Sequence, residues 1–188
     1  MSDGQRRSSR GFTIVEILVA VIITAVGFAA IFSMQVGSIQ GNIEARELAA
    51  ATNLAERYVA ELRRDAYQWT VGPRPEAGQA PVLARAAGQW HSFTPMPVDH
   101  NGRAYIDDDA NGSPLARQRF CAHYWLGPNN PALEGVINVR VRIVWPLATL
   151  DRTTLDAVCP EERANGFVPD PSRFRTVVLP AAIRRHES

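Results

Sequence analysis

The stretch Arg10-Gly11-Phe12-Thr13-Ile14-Val15-Glu16-Ile17-Leu18-Val19-Ala20 joins two unlike segments. Before it, residues 1–11 are short, polar and basic, with Arg6, Arg7 and Arg10 against a single Asp3. After it, Phe12 to Met34 form an apolar run of 23 residues whose one charge is Glu16. As a helix rising about 1.5 Å per residue the run reaches about 35 Å, enough to cross a hydrocarbon core of about 30 Å. Arginines precede the run and none follows until Arg46. The positive-inside rule therefore predicts a cytoplasmic N-terminus and an exported remainder. Glu16 is the costly residue, because a carboxylate in a membrane helix costs about 2.5–3.5 kcal/mol, less near an end, and normally marks function. The run itself supplies no cation. A cut between Gly11 and Phe12 would create an α-amino group four residues from Glu16. That amine can neutralise the carboxylate, most usefully on a neighbouring molecule in a packed helical bundle.

Other export signals fit less well. An ordinary secretory signal has an apolar core of about 7–15 residues before a small-residue cleavage site. Ala29-Ala30 would serve as that site, but the run is longer and carries an early glutamate. A lipoprotein signal needs a cysteine after the run, and the first is Cys121. Arg6-Arg7 lacks the flanks of a twin-arginine signal. A plain single-span anchor fits the length and leaves Glu16 without a purpose.

Taken together, the basic leader, Gly11-Phe12-Thr13 and the glutamate five residues into the apolar run resemble the class III signal of type IV pilins and type II secretion pseudopilins. The resemblance is strong over residues 10–34 and extends, more weakly, to about residue 66. It implies that a prepilin peptidase cleaves after Gly11 and methylates the new N-terminal Phe12. It also implies that Glu16 helps to register subunits during assembly by charge pairing. The implied partners are that peptidase, the inner membrane before assembly, and other minor and major pilins through the N-terminal helix. Many major pilins carry a proline within the mature helix, where it melts in the filament. Here Ala30-Ile31-Phe32-Ser33-Met34 has none, and Gly27, Gly37 and Gly41 are the weak points, each costing about 1 kcal/mol of helix propensity relative to alanine.

The whole chain has 188 residues, 46% hydrophobic and 21% charged, an ordinary globular mix that excludes wholesale disorder. A formal charge of +1 gives no nucleic-acid signature, and no nucleic acid is expected as a partner. All 13 prolines lie at or after Pro73, so the chain has two parts built on different rules. The expected organisation is a leader at 1–11, a transmembrane and assembly helix at 12–34, its amphipathic continuation at 35–72, and a β-rich head at 73–188.

In the continuation, Ala51, Leu54, Ala55, Tyr58 and Leu62 recur at three- and four-residue spacing, an apolar stripe that would pack on the chain's own sheet. Arg57 and Glu61 are placed for an i,i+4 pair, and Glu61 and Arg64 for an i,i+3 pair. Gly72-Pro73 marks the helix's end, and residues 73–88 read as a connector. Trp90 to Phe93, Phe120 to Leu126, Val136 to Trp145 and Phe174 to Leu179 read as strands, the last an edge strand stopped by Pro180. Asn101-Gly102 is a hairpin signal leading into Arg103-Ala104-Tyr105-Ile106. In the clearest strand, Ile137, Val139, Val141, Ile143 and Trp145 face one way and Asn138, Arg140 and Arg142 the other. The fold class is α+β, type IV pilin-like: a long N-terminal helix, transmembrane and then amphipathic, packed on a C-terminal antiparallel sheet.

Cys121 and Cys159 both fall in the exported part, and an even count in an oxidising compartment favours one disulfide. Pilins often staple their C-terminal region this way, which the resemblance supports. Asp107, Asp109 and Asn111, followed by Gly112, match the start of a calcium loop. The twelfth position is Gln118 rather than glutamate and Pro114 follows at once, so a solvated acidic turn competes with calcium, the one candidate cofactor. No catalytic motif is present: His91, His100, His123 and His186 lack metalloprotease spacing, and His91 and His123 suit structural roles in strands. Arg184-Arg185-His186 reads as a solvated tail.

The expected role is structural, that of a minor type IV pilin, most similar to the PilV-like group, which helps to prime pilus assembly and sits near the tip, contributing to adhesion or motility. Two alternatives stay open. A minor pseudopilin of type II secretion is suggested by Asn53-Leu54-Ala55-Glu56-Arg57-Tyr58-Val59-Ala60-Glu61-Leu62-Arg63, which resembles a stretch of one small pseudopilin class, and a membrane-anchored periplasmic binding protein or enzyme needs no prepilin peptidase. The expected location is the inner membrane with the head in the periplasm, and then the pilus.

Overall fold

A computed structural model describes residues 13–76, 78–93, 98–103, 119–128, 131–147, 159–160 and 164–186. The chain divides into two compact units, residues 1–45 and 46–188. Helix α1 (Ile14–Asp65) opens in the first unit and closes in the second, followed by one 3-10 turn, Ala66–Gln68. Regular helix thus stops short of Gly72-Pro73. The prolines exclude helix beyond them, but Trp69 ends it earlier by burying its ring completely and donating its indole N–H to the Val71 and Gly72 carbonyls.

The second unit is built on a sheet. Among the described residues β1 (Trp90–Ser92), β2 (Cys121–Leu126), β3 (Val136–Pro146) and β4 (Phe174–Arg184) lie in that order, every pair antiparallel. One face of the sheet packs on the stripe of α1. Ala51, Leu54, Ala55, Tyr58 and Leu62 share a core with Phe120, Ala122, Tyr124 and Leu126 of the β2 segment, and with Ile137, Val139, Val141, Ile143 and Trp145 of β3. Alternation along each strand sends every second side chain to this face, and the register keeps the two rows opposed, as in Tyr124 against Val141. Tyr58 stacks on Phe93 with ring centroids 4.1 Å apart, and burial pushes its phenol up to about 12. Trp145 reaches the helix through a polar contact, its indole N–H donating to Glu47 Oε2 at 3.2 Å.

Four expectations change. Strand β4 continues through Pro180, which sits opposite Arg140, and ends at Arg184. In the described sheet β4 pairs only with β3, and on an edge strand the missing proline N–H can face away from the ladder. Arg57 is committed elsewhere than Glu61: its guanidinium donates to the Asn101 carbonyl. The C-terminal tail is docked. Arg185 donates its backbone N–H to Gly135 and its guanidinium to the Gly72 carbonyl at 3.0 Å, and the His186 N–H reaches the Trp69 carbonyl. Finally, Arg142 is on the predicted face yet buried, because a second layer covers that part of the sheet.

Asn101-Gly102 does form a tight turn. Asp99 and Arg103 bond across it, and Asp99 Oδ1 accepts the N–H groups of Asn101 and Arg103 at 2.8 and 2.9 Å. Gly102 has φ of +69°, and a Cβ there would lie 3.0 Å from Leu54 Cδ1 and 3.1 Å from Arg57 Nη1. Gly102→Ala is therefore expected to destabilise the head by about 1–2 kcal/mol from backbone strain alone, with the clash added. A thermal melt of the variant checks this, and an unchanged midpoint would show that the turn relaxes freely.

The connector is pinned by Asp65, whose Oδ2 accepts the N–H groups of Val82 and Leu83 at 3.1 and 3.0 Å. Burial raises the Asp65 carboxyl above its ordinary 3.8, outweighing those bonds, which pull the other way. A carboxyl raised on folding holds its proton more tightly in the folded chain. Its contribution is therefore full below pH 3.8 and is lost as pH rises through the folded value. Asp65→Asn, which keeps an acceptor oxygen and removes the proton, is expected to flatten this part of the pH profile. Melting temperatures of both proteins across the acid range give the comparison, and parallel profiles would contradict it.

Candidate functional site

The first unit presents a helix with little to bury itself against. The helix is long and apolar enough to cross a membrane, and its apolar stretch is wholly unburied. Ile14, Val15, Ile23, Val26, Phe32 and Met34 are all exposed. Hydroxyls in the run turn inward to the backbone: Thr24 Oγ1 donates to the Ala20 carbonyl at 2.7 Å and Ser33 Oγ to that of Ala30 at 2.8 Å. With those donors satisfied inside the helix, its surface is apolar, as an intramembrane or interhelical surface requires.

Glu16 stands in the first turn of α1. Its backbone N–H donates to Thr13, at 3.1 Å to the carbonyl and 3.3 Å to Oγ1. Thr13 is thus the N-cap, a role that sequence reading missed although Thr13-x-x-Glu16 has the spacing of a capping box. The cap fixes where the helix begins and hence where on its circumference the carboxylate falls. Glu16 also borders a groove of about 600 Å³ with Ile17, Ala20, Val21, Thr24 and Phe28. Small residues alternate there with large ones along one helix face, the relief that a neighbouring helix fills. An acid at the helix N-terminus is also favoured by the helix dipole. The cleavage and methylation residues Gly11 and Phe12 lie outside the described residues. So do Asp107, Asp109 and Asn111, the calcium candidates.

In the second unit Cys121 and Cys159 are disulfide-bonded, with Cα atoms 5.1 Å apart. The bond fastens a second layer to the sheet's other face, where Cys121, Val144, Cys159 and Phe174 form a cluster with Phe167 against it. Arg142 is the polar anchor of that layer. Its guanidinium donates to the Ala164 and Phe167 carbonyls at 3.0 and 3.1 Å and lies 4.2 Å from the Trp90 ring centroid. Burial lowers its pKa to about 10, which leaves it charged at neutral pH. His123 serves the same layer, contacting the Cys159 carbonyl through Nε2, whereas His91 lies beside Tyr124 and contacts the Ala86 carbonyl. Among the described residues no group of three or more His, Cys, Asp or Glu could hold a metal.

Residues 6–32 match the family model for the prokaryotic N-terminal methylation motif. Gly11, Phe12, Thr13 and Glu16 all lie inside that span. Comparisons with curated proteins and with solved structures return no match. The motif sits on the exposed apolar helix, ahead of the antiparallel sheet, and together they make this chain a type IV prepilin-like protein.

Proposed function

We propose that the protein is a minor type IV pilin, a structural subunit that helps to prime pilus assembly and takes a position at or near the tip. The observation that carries this reading is an exposed apolar run, Phe12 to Met34, that overlaps the methylation motif at residues 6–32 and has Glu16 as its sole charge. A prepilin peptidase removes residues 1–11, taking three arginines and one aspartate, so that the side-chain charge changes from +1 to −1. The new amino group at Phe12 pairs with Glu16 of a neighbouring subunit as the helices bundle. The chain waits in the inner membrane with its head in the periplasm and then enters the filament. It works by packing and charge pairing, in keeping with a family of structural proteins.

Mass spectrometry of the mature N-terminus tests the reading most directly. The expected species begins at methylated Phe12. An intact leader, or a start near Ala30-Ile31, would overturn it in favour of a plain anchor or a cleaved secretory signal. A pseudopilin of type II secretion would share the same N-terminus. It separates from a pilin by the machine that incorporates it, which a count of the subunit in sheared pili measures.

A further inference from the structure

The second unit carries a cationic cleft that the disulfide layer does not use and that has Leu54 of the core at its base. One wall is α1, where Arg46, Ala49, Ala50, Asn53, Leu54 and Arg57 fall at helical spacing on a single face. The other wall is the Asp99–Arg103 turn, which contributes His100, Asn101 and Arg103. The cleft measures about 740 Å³, and its described lining holds three arginines and no carboxylate. It is a built feature. The Arg57 guanidinium is held on the Asn101 carbonyl, and Gly102, whose missing Cβ leaves room for Leu54 and Arg57, lets the turn close on the helix. Asp99, on the turn itself, spends Oδ1 on two backbone N–H groups. The arginines are therefore arranged without a neutralising acid in the lining, above a floor of small and apolar side chains.

We propose that this cleft docks a carboxylate-bearing helix of a partner subunit. Charge complementarity selects the chemistry, since guanidinium groups pair with carboxylates through two parallel hydrogen bonds. The helical wall selects a protein: Ala49 is exposed and Ala50 half-buried, and side chains that small admit the close approach of another helix. A nucleic acid would also want a basic footprint larger than one cleft on a chain whose side-chain charge without residues 1–11 is −1. The wall is part of the same α1 whose earlier turns are given an assembly role above, so the proposal rests on that reading and extends it from the apolar run to the head. Arg46 and Arg57 are eleven residues apart on α1, a rise of about 16 Å. The matching partner therefore presents carboxylates at that spacing.

The test uses the full mature chain in neutral detergent and a labelled alanine-based helical peptide with glutamates eleven residues apart. The peptide is expected to bind saturably, more weakly as salt is raised. Arg46→Glu with Arg103→Glu is expected to weaken it at least about tenfold, without moving the melting midpoint, because both side chains are exposed. Equal affinity in wild type and double variant would overturn the proposal. So would a short DNA duplex or phosphatidylglycerol vesicles binding more tightly than the peptide and losing that binding in the double variant. Binding seen only after Asp107, Asp108 and Asp109 are changed to Asn would give the cleft to the chain's own acidic triad and overturn it too. Processing at Gly11 does not involve the cleft. The N-terminal mass measurement can therefore fail while peptide binding holds, or the reverse.

Discussion

Replacing Glu16 with alanine is expected to cut the amount of this subunit in assembled filaments by about tenfold or more, while its level in the membrane fraction is unchanged. Inserting the apolar run into the bilayer becomes easier when the carboxylate is gone, since the residue carries a penalty of about 2.5–3.5 kcal/mol at mid-helix. Assembly becomes harder. The amino group freed at Phe12 of the neighbouring subunit would enter a low-dielectric bundle without its counter-charge, and removing one partner of a buried pair costs about 3–5 kcal/mol. Glu16→Gln should fail to the same degree, because its amide keeps the size and hydrogen bonding and loses the charge. Glu16→Asp should retain part of the function. The readout is the ratio of the subunit in sheared filaments to that in membranes. Full incorporation of Glu16→Ala would remove the charge-pairing role and leave the prepilin assignment standing.

The second large effect concerns the head. Cys121 and Cys159 close a loop with a sequence separation of 38, which is worth about 4 kcal/mol in the chain-entropy model. Changing both to serine, or reducing the bond, is therefore expected to lower the melting midpoint of the head by roughly 8–16 °C. The bond also holds the layer over Arg142. Cys159 supplies a carbonyl to Ser92 Oγ at 3.0 Å, and the nearby residues 164–167 supply the acceptors that satisfy the buried guanidinium. Loosening them exposes a charge that is stable only when hydrogen-bonded. Thermal melts with and without reductant give the value. A shift of only a degree or two would mean that Arg142 and the aromatic contacts retain the layer without the disulfide.

Much of this architecture is legible from local order. The stripe Ala51, Leu54, Ala55, Tyr58, Leu62 repeats with helical period and is buried. The alternation Ile137, Val139, Val141, Ile143, Trp145 repeats with period two and meets it. The cysteines needed only their count and compartment, and Glu16 only its cost in an apolar run. Other features could not be read this way. Pro180 looks like a stop, and only its place on an edge strand lets β4 run on to Arg184. Arg57 is placed equally well for Glu61 and for the turn, and it is the approach of Asn101, 44 residues away, that decides. Arg142 alternates with Asn138 and Arg140 and has their polarity, so nothing local marks it as buried.

By itself the sequence determined this protein's N-terminal methylation motif, its exposed apolar helix and the periodicities that oppose helix to sheet. Those properties depend on the order of residues within a few turns or a few strand positions, over which geometry repeats. Only the tertiary structure decided that a second layer covers Arg142 on the rear of the sheet, that the C-terminal residues dock on Gly135, Trp69 and Gly72, and that three arginines from the helix and a distant turn line one cleft. Each of these depends on segments far apart in the chain meeting in space. Burial and charge then follow from the partner that arrives, whatever the polarity of the residue that waits for it.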